Sequence, residues 1–445
     1  MLSTSTTGKS ATKRDVLRLA KERDVAFVRL SFADILGVSK NVAIPVTELE
    51  RALEGRVTFD GGSIDGFVRG EEADMMLRPD CSTFAILPWT EHGAIEAQLL
   101  CDIATPDGEA FEGCPRTTLR RAIDAAGDVL AGVRTGLEVE FYVFGLGPDG
   151  LPTTTSQDVG SYFDTDEADR GEAARLAIVT ALGAMGISVA SAHHEHGAGQ
   201  HEIDLNDLDP LATADALITT RTVAKHIAAR HNLHATFMPK PAEDLAGSGV
   251  HVYFELPHDE DEPPEEGDLR EETLFAIGGL LRHAPAFTAI CNPTVNSYKR
   301  LVAAWDAPIY TVWSHRSANA LVRVPSDPGG SRIEVRSADP SCNPYLALAV
   351  LLASAADGVR AHTFPGDPLV GSTYDLDQKA LEGRRIATLP KSLRGALVEL
   401  REDAVVRGAL GDHVYQAFRE AKLAEYERYR RAVHPWERDA YLRVY

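Results

Sequence analysis

Hydrophobic positions change their period several times along this chain, and the changes divide it into elements. Thr12 to Arg23 repeats its apolar residues at helical spacing. The runs VAFVRLSF and VAIPV have the character of short strands, and the turn-prone DILGVSK separates them. A turn-rich stretch from Pro106 to Arg116 leads into a helical pattern, TLRRAIDAAGDVL. A domain boundary is placed there, with residues 1–112 forming a small N-terminal domain and 113–445 a large one. Beyond it, strand-like LEVEFYVF, GISVASAHH, HATFMPK and GVHVYFEL alternate with helical EAARLAIVTALGAM, PLATADALITTRTVAKHIAARH and EETLFAIGGLLRHAPAFTAI. From Leu393 onward the pattern is mostly helical. AEDLAGSG and the acidic, Pro-containing DEDEPPEEGD read as loops. The expected class is α+β: a small β domain, then a large domain whose sheet carries polar residues on one face.

Composition narrows this picture. A chain of 445 residues suits two or three domains, and 44% hydrophobic with 25% charged residues fits a soluble protein with a sizeable core. No uninterrupted apolar run reaches the ~20 residues of a membrane helix. The opening MLSTSTTGKSATKR lacks the apolar centre of a signal peptide and reads as a polar tail, so cytoplasmic residence is expected. Lys plus Arg total 45 against 66 Asp plus Glu, a formal charge of −21, which argues against a nucleic-acid partner. An anionic substrate would need local arginines and cations to overcome that field. The five cysteines (Cys81, Cys101, Cys114, Cys291, Cys342) are odd in number and lack a CxxC pair, so neither a disulfide framework nor a zinc site is expected.

Candidate chemistry lies on the strand-like runs of the large domain. In GLEVEFYVF, Glu138 and Glu140 are two apart and point to one face of a strand. Two such carboxylates repel unless a cation lies between them. SAHHEHGAGQHEIDL crowds His193, His194, Glu195, His196, His201, Glu202 and Asp204 into a dozen positions, and its GAG suits a tight turn joining two strands. This carboxylate-rich mix favours magnesium or manganese over zinc. GSGVHVYFEL places Gly247, Ser248 and Gly249 ahead of His251. In SRIEVRSADPSCNPY, Arg332, Glu334 and Arg336 alternate and share a strand face, and Arg300, Arg316 and Arg323 add guanidinium groups upstream. Cations that neutralise phosphate oxygens, with arginines that absorb developing charge, are what phosphoryl transfer needs. No GxxxxGK[ST] loop is present, which excludes P-loop chemistry.

The stretches FDGGSIDGF, ADMMLRPD, GLEVEFYVF, HHEHGAGQHEID, ATFMPKP, GSGVH, NSYKRLV, RIEVRSADPSCNPYLA and the terminal HPWE together resemble the bacterial-type glutamine synthetase family over essentially the whole chain. The resemblance implies a β-grasp-like N-terminal domain, a larger catalytic domain, and a dodecamer of two stacked hexameric rings with active sites shared between neighbours. It implies that glutamate and ATP are substrates, that ammonia or a small amine is the acceptor, and that two or more Mg2+ or Mn2+ ions serve each site. By motif, Glu140, Glu195 and Glu202 match ligands of the metal nearer glutamate, and Glu138, His251 and Glu334 match ligands of the metal nearer the ATP phosphates. Arg300 and Arg336 match residues that hold the glutamate carboxylates and the transferred phosphoryl group, and Gly247 lies where the family's loop contacts glutamate. Ser248, Tyr253, Arg316, Arg323 and Arg332 fall on the nucleotide side. Asp60 and Ser63 match residues that reach in from a neighbouring subunit, with Asp60 taking a proton from ammonium.

Departures from the family pattern concern the amine. AAWDAP stands where PGYEAP is usual, so Asp306 replaces the flap glutamate. Ala246 replaces a common Asn, Tyr253 and Glu255 replace smaller polar residues, and Gly62 replaces a Ser. A γ-glutamyl-amine or polyamine ligase is therefore the alternative expectation, followed by a guanidino phosphotransferase and a non-catalytic scaffold. Tyr374 lies where some relatives carry a nucleotidylated tyrosine.

Overall fold

The computed structural model describes residues 11–67, 74–91, 93–165, 167–256, 269–302, 307–325, 331–373, 381, 383 and 386–445. Residues 1–10 of the polar tail, the DEDEPPEEGD excursion, Asp306 and Tyr374 lie outside the described residues, and the rest of that tail begins the first helix. A first helix, α1 (Lys13–Glu22), begins at a capping box in which Thr12 and Asp15 satisfy each other's backbone N–H groups. Six strands follow: β1 (Val25–Ala33), β2 (Ser39–Pro45), β3 (Val57–Asp60), β4 (Asp74–Pro79), β5 (Ala85–Glu91) and β6 (Ala94–Ala104), with a short helix α2 (Leu49–Leu53) between β2 and β3. They form one sheet in the order β2-β1-β6-β4-β3, with β5 also paired to β6. Its buried face (Val28, Leu30, Phe32, Leu77, Leu99, Ile103) packs on α1 and α2 through Val16, Ala20 and Leu49.

The second sheet has eight strands: β7 (Arg134–Gly145), β8 (Val189–His194), β9 (Gln200–Leu208), β10 (Leu233–Thr236), β11 (Val250–Glu255), β12 (Tyr310–Ser314), β13 (Ala320–Arg323) and β14 (Arg332–Val335). Their order is β12-β13-β14-β11-β7-β9-β8, and β10 pairs with the far end of β7. Helix α3 (Pro115–Ala126) precedes these strands, and α4 (Glu172–Ala184), α5 (Pro210–Arg230), α6 (Glu271–Cys291), α7 (Ser297–Arg300) and α8 (Pro344–Arg360) lie between or after them. Four more close the chain: α9 (Leu393–Glu402), α10 (Ala404–Leu410), α11 (Asp412–Arg431) and α12 (Pro435–Tyr441). One face of the sheet is apolar: Leu137, Val139, Phe141, Ile203, Leu205, Val250, Val252, Phe254, Ile333 and Val335 all join the large core that α5, α6 and α8 complete. By length and composition α6 is apolar enough to cross a membrane, although Arg282 and His283 interrupt its apolar run. Its most apolar window is 83% buried inside the protein, so that surface forms core.

HATFMPK gives a strand only over its first part, ending at Thr236, and RIEVRSAD only over Arg332–Val335. Arg336 nevertheless keeps the pairing direction, its N–H donating to the Leu321 carbonyl at 3.0 Å. The cysteines are all free thiols, four of them buried.

A buried arginine ties the small sheet to a helix of the large core. Arg116, in the first turn of α3, is 3% exposed. Its guanidinium donates to both carboxylate oxygens of Asp215 on α5 (2.9 and 2.8 Å), to Asp102 on β6 (3.0 Å) and to Asp80 at the end of β4 (2.8 Å). Burial works to raise the Asp80 carboxyl, and Arg116 with Ser82 more than offsets it, holding it at about 2. Asp215 also accepts the Tyr345 hydroxyl at 2.7 Å. Removing the guanidinium would leave Asp215 buried without a counter-charge, a loss that costs about 3–5 kcal/mol. Arg116→Ala should therefore lower unfolding stability by about that amount in denaturant titrations. A variant as stable as the parent would show that the sheets are held together by other contacts.

Candidate active site

Strand register assembles the site. Across the second sheet, directly paired residues share a face: His251 opposite Glu138, Tyr253 opposite Glu334, and Arg323 opposite Glu334. On the other side of β7, Glu138 pairs with Asp204 and Glu140 with Glu202, and Glu202 in turn pairs with His193. The alternation that sends Leu137, Val139 and Ile203 into the core therefore sends every one of these polar side chains to the opposite face. The turn between β8 and β9 is tight. Glu195 N donates to Gln200 O at 2.8 Å and Gln200 N to Gly197 O at 2.7 Å, and Gly199 takes φ +78. A Cβ at Gly199 would also come within 2.8 Å of the Val143 carbonyl, so glycine is required there.

The polar face lines a cavity of about 830 Å³ bordered by Glu138, Glu140, Glu195, Glu202, His251 and Arg336 among others. Ligand atoms of Glu138, His251 and Glu334 all lie within 4.8 Å of one another. His251 Nδ1 is 2.8 Å from Glu138 and 3.4 Å from Glu334. A second group within the same limit consists of His193, Glu195 and Glu202. Glu140 stands between the two: one oxygen accepts from Gln200 Nε2 (3.0 Å) and Gly249 N (2.9 Å), and the other lies 3.8 Å from His251 Nε2. His193 on β8, like Glu140 on β7, pairs in register with Glu202, so an imidazole joins the carboxylates at this end.

The two ends of this row differ in charge balance. Glu334 is fully buried and is paired with both Arg323 and Arg336. Burial works to raise the Glu138 carboxyl, yet hydrogen bonds from His251 and Tyr253 hold it at about 2. At the other end, burial and the neighbouring Glu140, Glu138, Asp204 and Glu195 push Glu202 up to about 11. Burial and Glu140 also raise Glu195. Several carboxyl groups gathered in a buried site, none of them ion-paired to a guanidinium among the described residues, form a donor set that fits a hard divalent cation.

The remaining candidates take varied positions. Arg300 is buried under the GSG loop, where a Cβ on Gly247 would come within 2.7 Å of its side chain. Its guanidinium donates to the carbonyls of Ser337 (2.9 Å) and Arg336 (3.1 Å), and it borders the cavity with Gly247. Ser248 is wholly buried and accepts from Gln200 at 3.3 Å. Tyr253 and Arg332 line an adjoining hollow that shares Glu138 and Asp204 with the main cavity. There the Arg332 guanidinium lies 4.7 Å above the Tyr253 ring and pairs with Asp207. Arg316 is exposed and lies outside the cavity lining. Asp60 and Ser63 are hydrogen-bonded to each other at 2.9 Å on the small domain and do not border this cavity within the chain. Asp306 falls outside the described residues.

Gln200, Lys240, Lys299, Tyr162 and Phe163 also border the cavity and were not singled out from the sequence. Period two along QHEID would have found Gln200. The others come from loops and a short helix, where no local repeat marks them.

The chain is similar to known proteins over nearly its whole length. The profile described as "Glutamine synthetase, catalytic domain" matches residues 112–441, and that described as "Glutamine synthetase, beta-Grasp domain" matches 24–106. Among similar proteins, a glutamine synthetase of Thermus thermophilus is 46% identical over 98% of this chain and 99% of its own length. One from Halobacterium salinarum is 45% identical over 97% of this chain and 96% of its own. A solved GmaS/ADP complex superimposes with a TM-score of 0.85 at 30% identity, covering 96% of this chain and 99% of that one. A Plasmodium falciparum glutamine synthetase shares the fold at TM-score 0.84 and 24% identity, covering 97% and 99%. The small sheet is thus a β-grasp domain, the large one a catalytic domain, and the chain belongs to the glutamine synthetase family.

Proposed function

We propose that this chain joins the side-chain carboxylate of glutamate to ammonia at the expense of ATP, through γ-glutamyl phosphate. The observation that carries the reading is the single polar sheet face on which Glu138, His251 and Glu334 meet at one end and Glu195 and Glu202 at the other. Relatives that are 43–46% identical over nearly the full length are named glutamine synthetase, so the larger-amine ligase is not favoured.

The chemistry proceeds in two displacements. An oxygen of the glutamate γ-carboxylate bonds to the γ-phosphorus of ATP as the bond to the β-phosphate oxygen breaks and ADP leaves. Ammonia then bonds to the acyl carbon as the bond to phosphate breaks. Ammonium has no lone pair, so its proton must first pass to a carboxylate. We assign that role to Asp60 of a neighbouring subunit, supported by Ser63, because Asp60 is exposed and away from the cavity of its own chain. Asp306 is assigned to the flap that closes over glutamate. Arg336 and Arg300 are assigned to the glutamate carboxylates and the transferred phosphoryl group, with Gly247 on glutamate. Ser248, Tyr253, Arg316, Arg323 and Arg332 are assigned to the nucleotide.

Glu138, His251 and Glu334 would hold one divalent cation, and Glu195 and Glu202, with Glu140 or His193, another. Mg2+ or Mn2+ suits the carboxylate majority. When bound, the cations neutralise phosphate oxygens and so lower the charge barrier to attack by a carboxylate. The boundary between the two units is placed at 112/113, the assembly is read as a dodecamer of two hexameric rings, and the compartment as the cytoplasm.

Two measurements test this reading. Phosphate release should require glutamate, ATP and ammonium together. Asp60→Ala and Glu202→Ala should each abolish it, and subunits of the two variants, dissociated and reassembled together, should regain part of it. A monomer with full activity, or mixed assemblies that stay inactive, would contradict shared sites. The second concerns charge. Because Glu202 is raised above its unfolded value, its contribution favours the fold at acid pH and is lost progressively as pH rises from the ordinary carboxylate range through about 11. Glu202→Gln should therefore raise the Tm of the metal-free protein at neutral and alkaline pH, and should blunt the further rise that Mn2+ gives the parent. Equal Tm values in parent and variant across that range would show that Glu202 is not under charge stress.

A further inference from the structure

Behind the β8–β9 hairpin lies a second polar cluster with no place in the scheme above. It is buried between the hairpin and residues 156–165 and 167–175. Ligand atoms of Asp158, Asp169 and His201 come within 4.8 Å of one another, which by itself would fit a cation. A guanidinium already stands among them. Arg175 pairs with Asp169 at 2.6 Å and donates to His201 Nδ1 at 2.8 Å. The positive charge here is supplied by the protein, so the cluster is support for the hairpin and not a further metal site.

The support acts on the turn that carries Glu195. Asp158 Oδ1 accepts the Gly199 N–H at 2.6 Å and the Ser156 hydroxyl at 3.1 Å. Its other oxygen lies 3.4 Å from His194 Nε2. His194 Nδ1 is 2.6 Å from the carbonyl of Glu195, and since a carbonyl only accepts, Nδ1 is the donor. The carboxylate thus holds the turn directly through the Gly199 N–H, and the His194 ring, which bonds the Glu195 carbonyl, lies against its other oxygen. The ring has little freedom to move. It is wholly buried, and a Cβ at Gly160 would fall 2.6 Å from Nε2. The Glu195 side chain points away from this cluster and into the cavity.

We infer that Asp158 is a positioning residue for the reaction: it fixes the Glu195 carboxylate from behind the hairpin without reaching the substrates. The inference rests on the reading that Glu195 and Glu202 hold a divalent cation. Partners behind a metal ligand typically contribute 10–100-fold to metal affinity or activity.

The test uses the assembled enzyme with Asp158→Asn, which keeps the volume but replaces one accepting oxygen by a donor. The probe is Mn2+ alone, titrated calorimetrically without substrates, alongside kcat and the KM values for ATP and glutamate. The expected result is a Kd for Mn2+ raised at least about tenfold and a lower kcat, with KM for ATP unchanged. Unchanged Mn2+ affinity in the folded variant overturns the inference. If Asp158→Asn does not fold, Ser156→Ala, which removes one hydrogen bond to the same oxygen, decides the matter. Weaker Mn2+ binding at unchanged Tm supports the role of Asp158, and unchanged binding overturns it. A parent enzyme that binds no Mn2+ would overturn the metal reading itself and this inference with it, and is recognised because the failure precedes any substitution.

Discussion

The period-two alternation of the large sheet is the constraint on which the rest depends. Each of its central strands sends apolar side chains to the helices and polar ones to the cavity. Slipping β9 by one residue would turn Glu202 and Asp204 into the core and bring Ile203 and Leu205 out to the cavity. Burial of Val139, Ile203, Val250 and Ile333 therefore fixes the carboxylates as firmly as it fixes the core, since burying each such side chain contributes about 1.5–3 kcal/mol. The site is held in register by hydrophobic packing on the other side of the same strands.

That face concentrates negative charge and balances it unevenly. Glu334 has two guanidinium partners, and Glu138 has an imidazole and a phenol. Glu202 has neighbouring carboxyls and the His193 ring at 3.4 Å. The arginine end is suited to receive phosphate oxygens, and the Glu195–Glu202 end a cation. In a chain with formal charge −21, local placement of arginines does what net charge cannot. The β-grasp domain meets this scaffold through Arg116, a buried cation shared by Asp80, Asp102 and Asp215.

Much of this was legible in the sequence because strand alternation is local. The ExE of LEVEFYVF and the spacing in QHEID announce which side chains share a face, and the GAG announces the turn between them. Local pattern does not say which strands pair. Glu202 is flanked in register by Glu140 on β7 and by His193 on β8, and only the strand order brings that imidazole beside the carboxylates. Arg332 shares its strand face with Glu334, yet tertiary packing turns it toward Asp207 and the Tyr253 ring. The apolar character of α6 was hidden by Arg282 and His283. His283 resolves its own burial by bonding Asp403 (2.6 Å) and Asp357 (3.0 Å). Tyr162 and Phe163 reach the cavity from an irregular segment, and only long-range contact puts them there.

The most direct measurement is a crystal structure of the enzyme soaked in Mn2+, with anomalous scattering used to locate the ions. The account predicts two separate peaks, one bounded by Glu138, His251 and Glu334 and one by Glu195 and Glu202. Manganese bound elsewhere on the chain, with neither group occupied at saturating concentration, would contradict it.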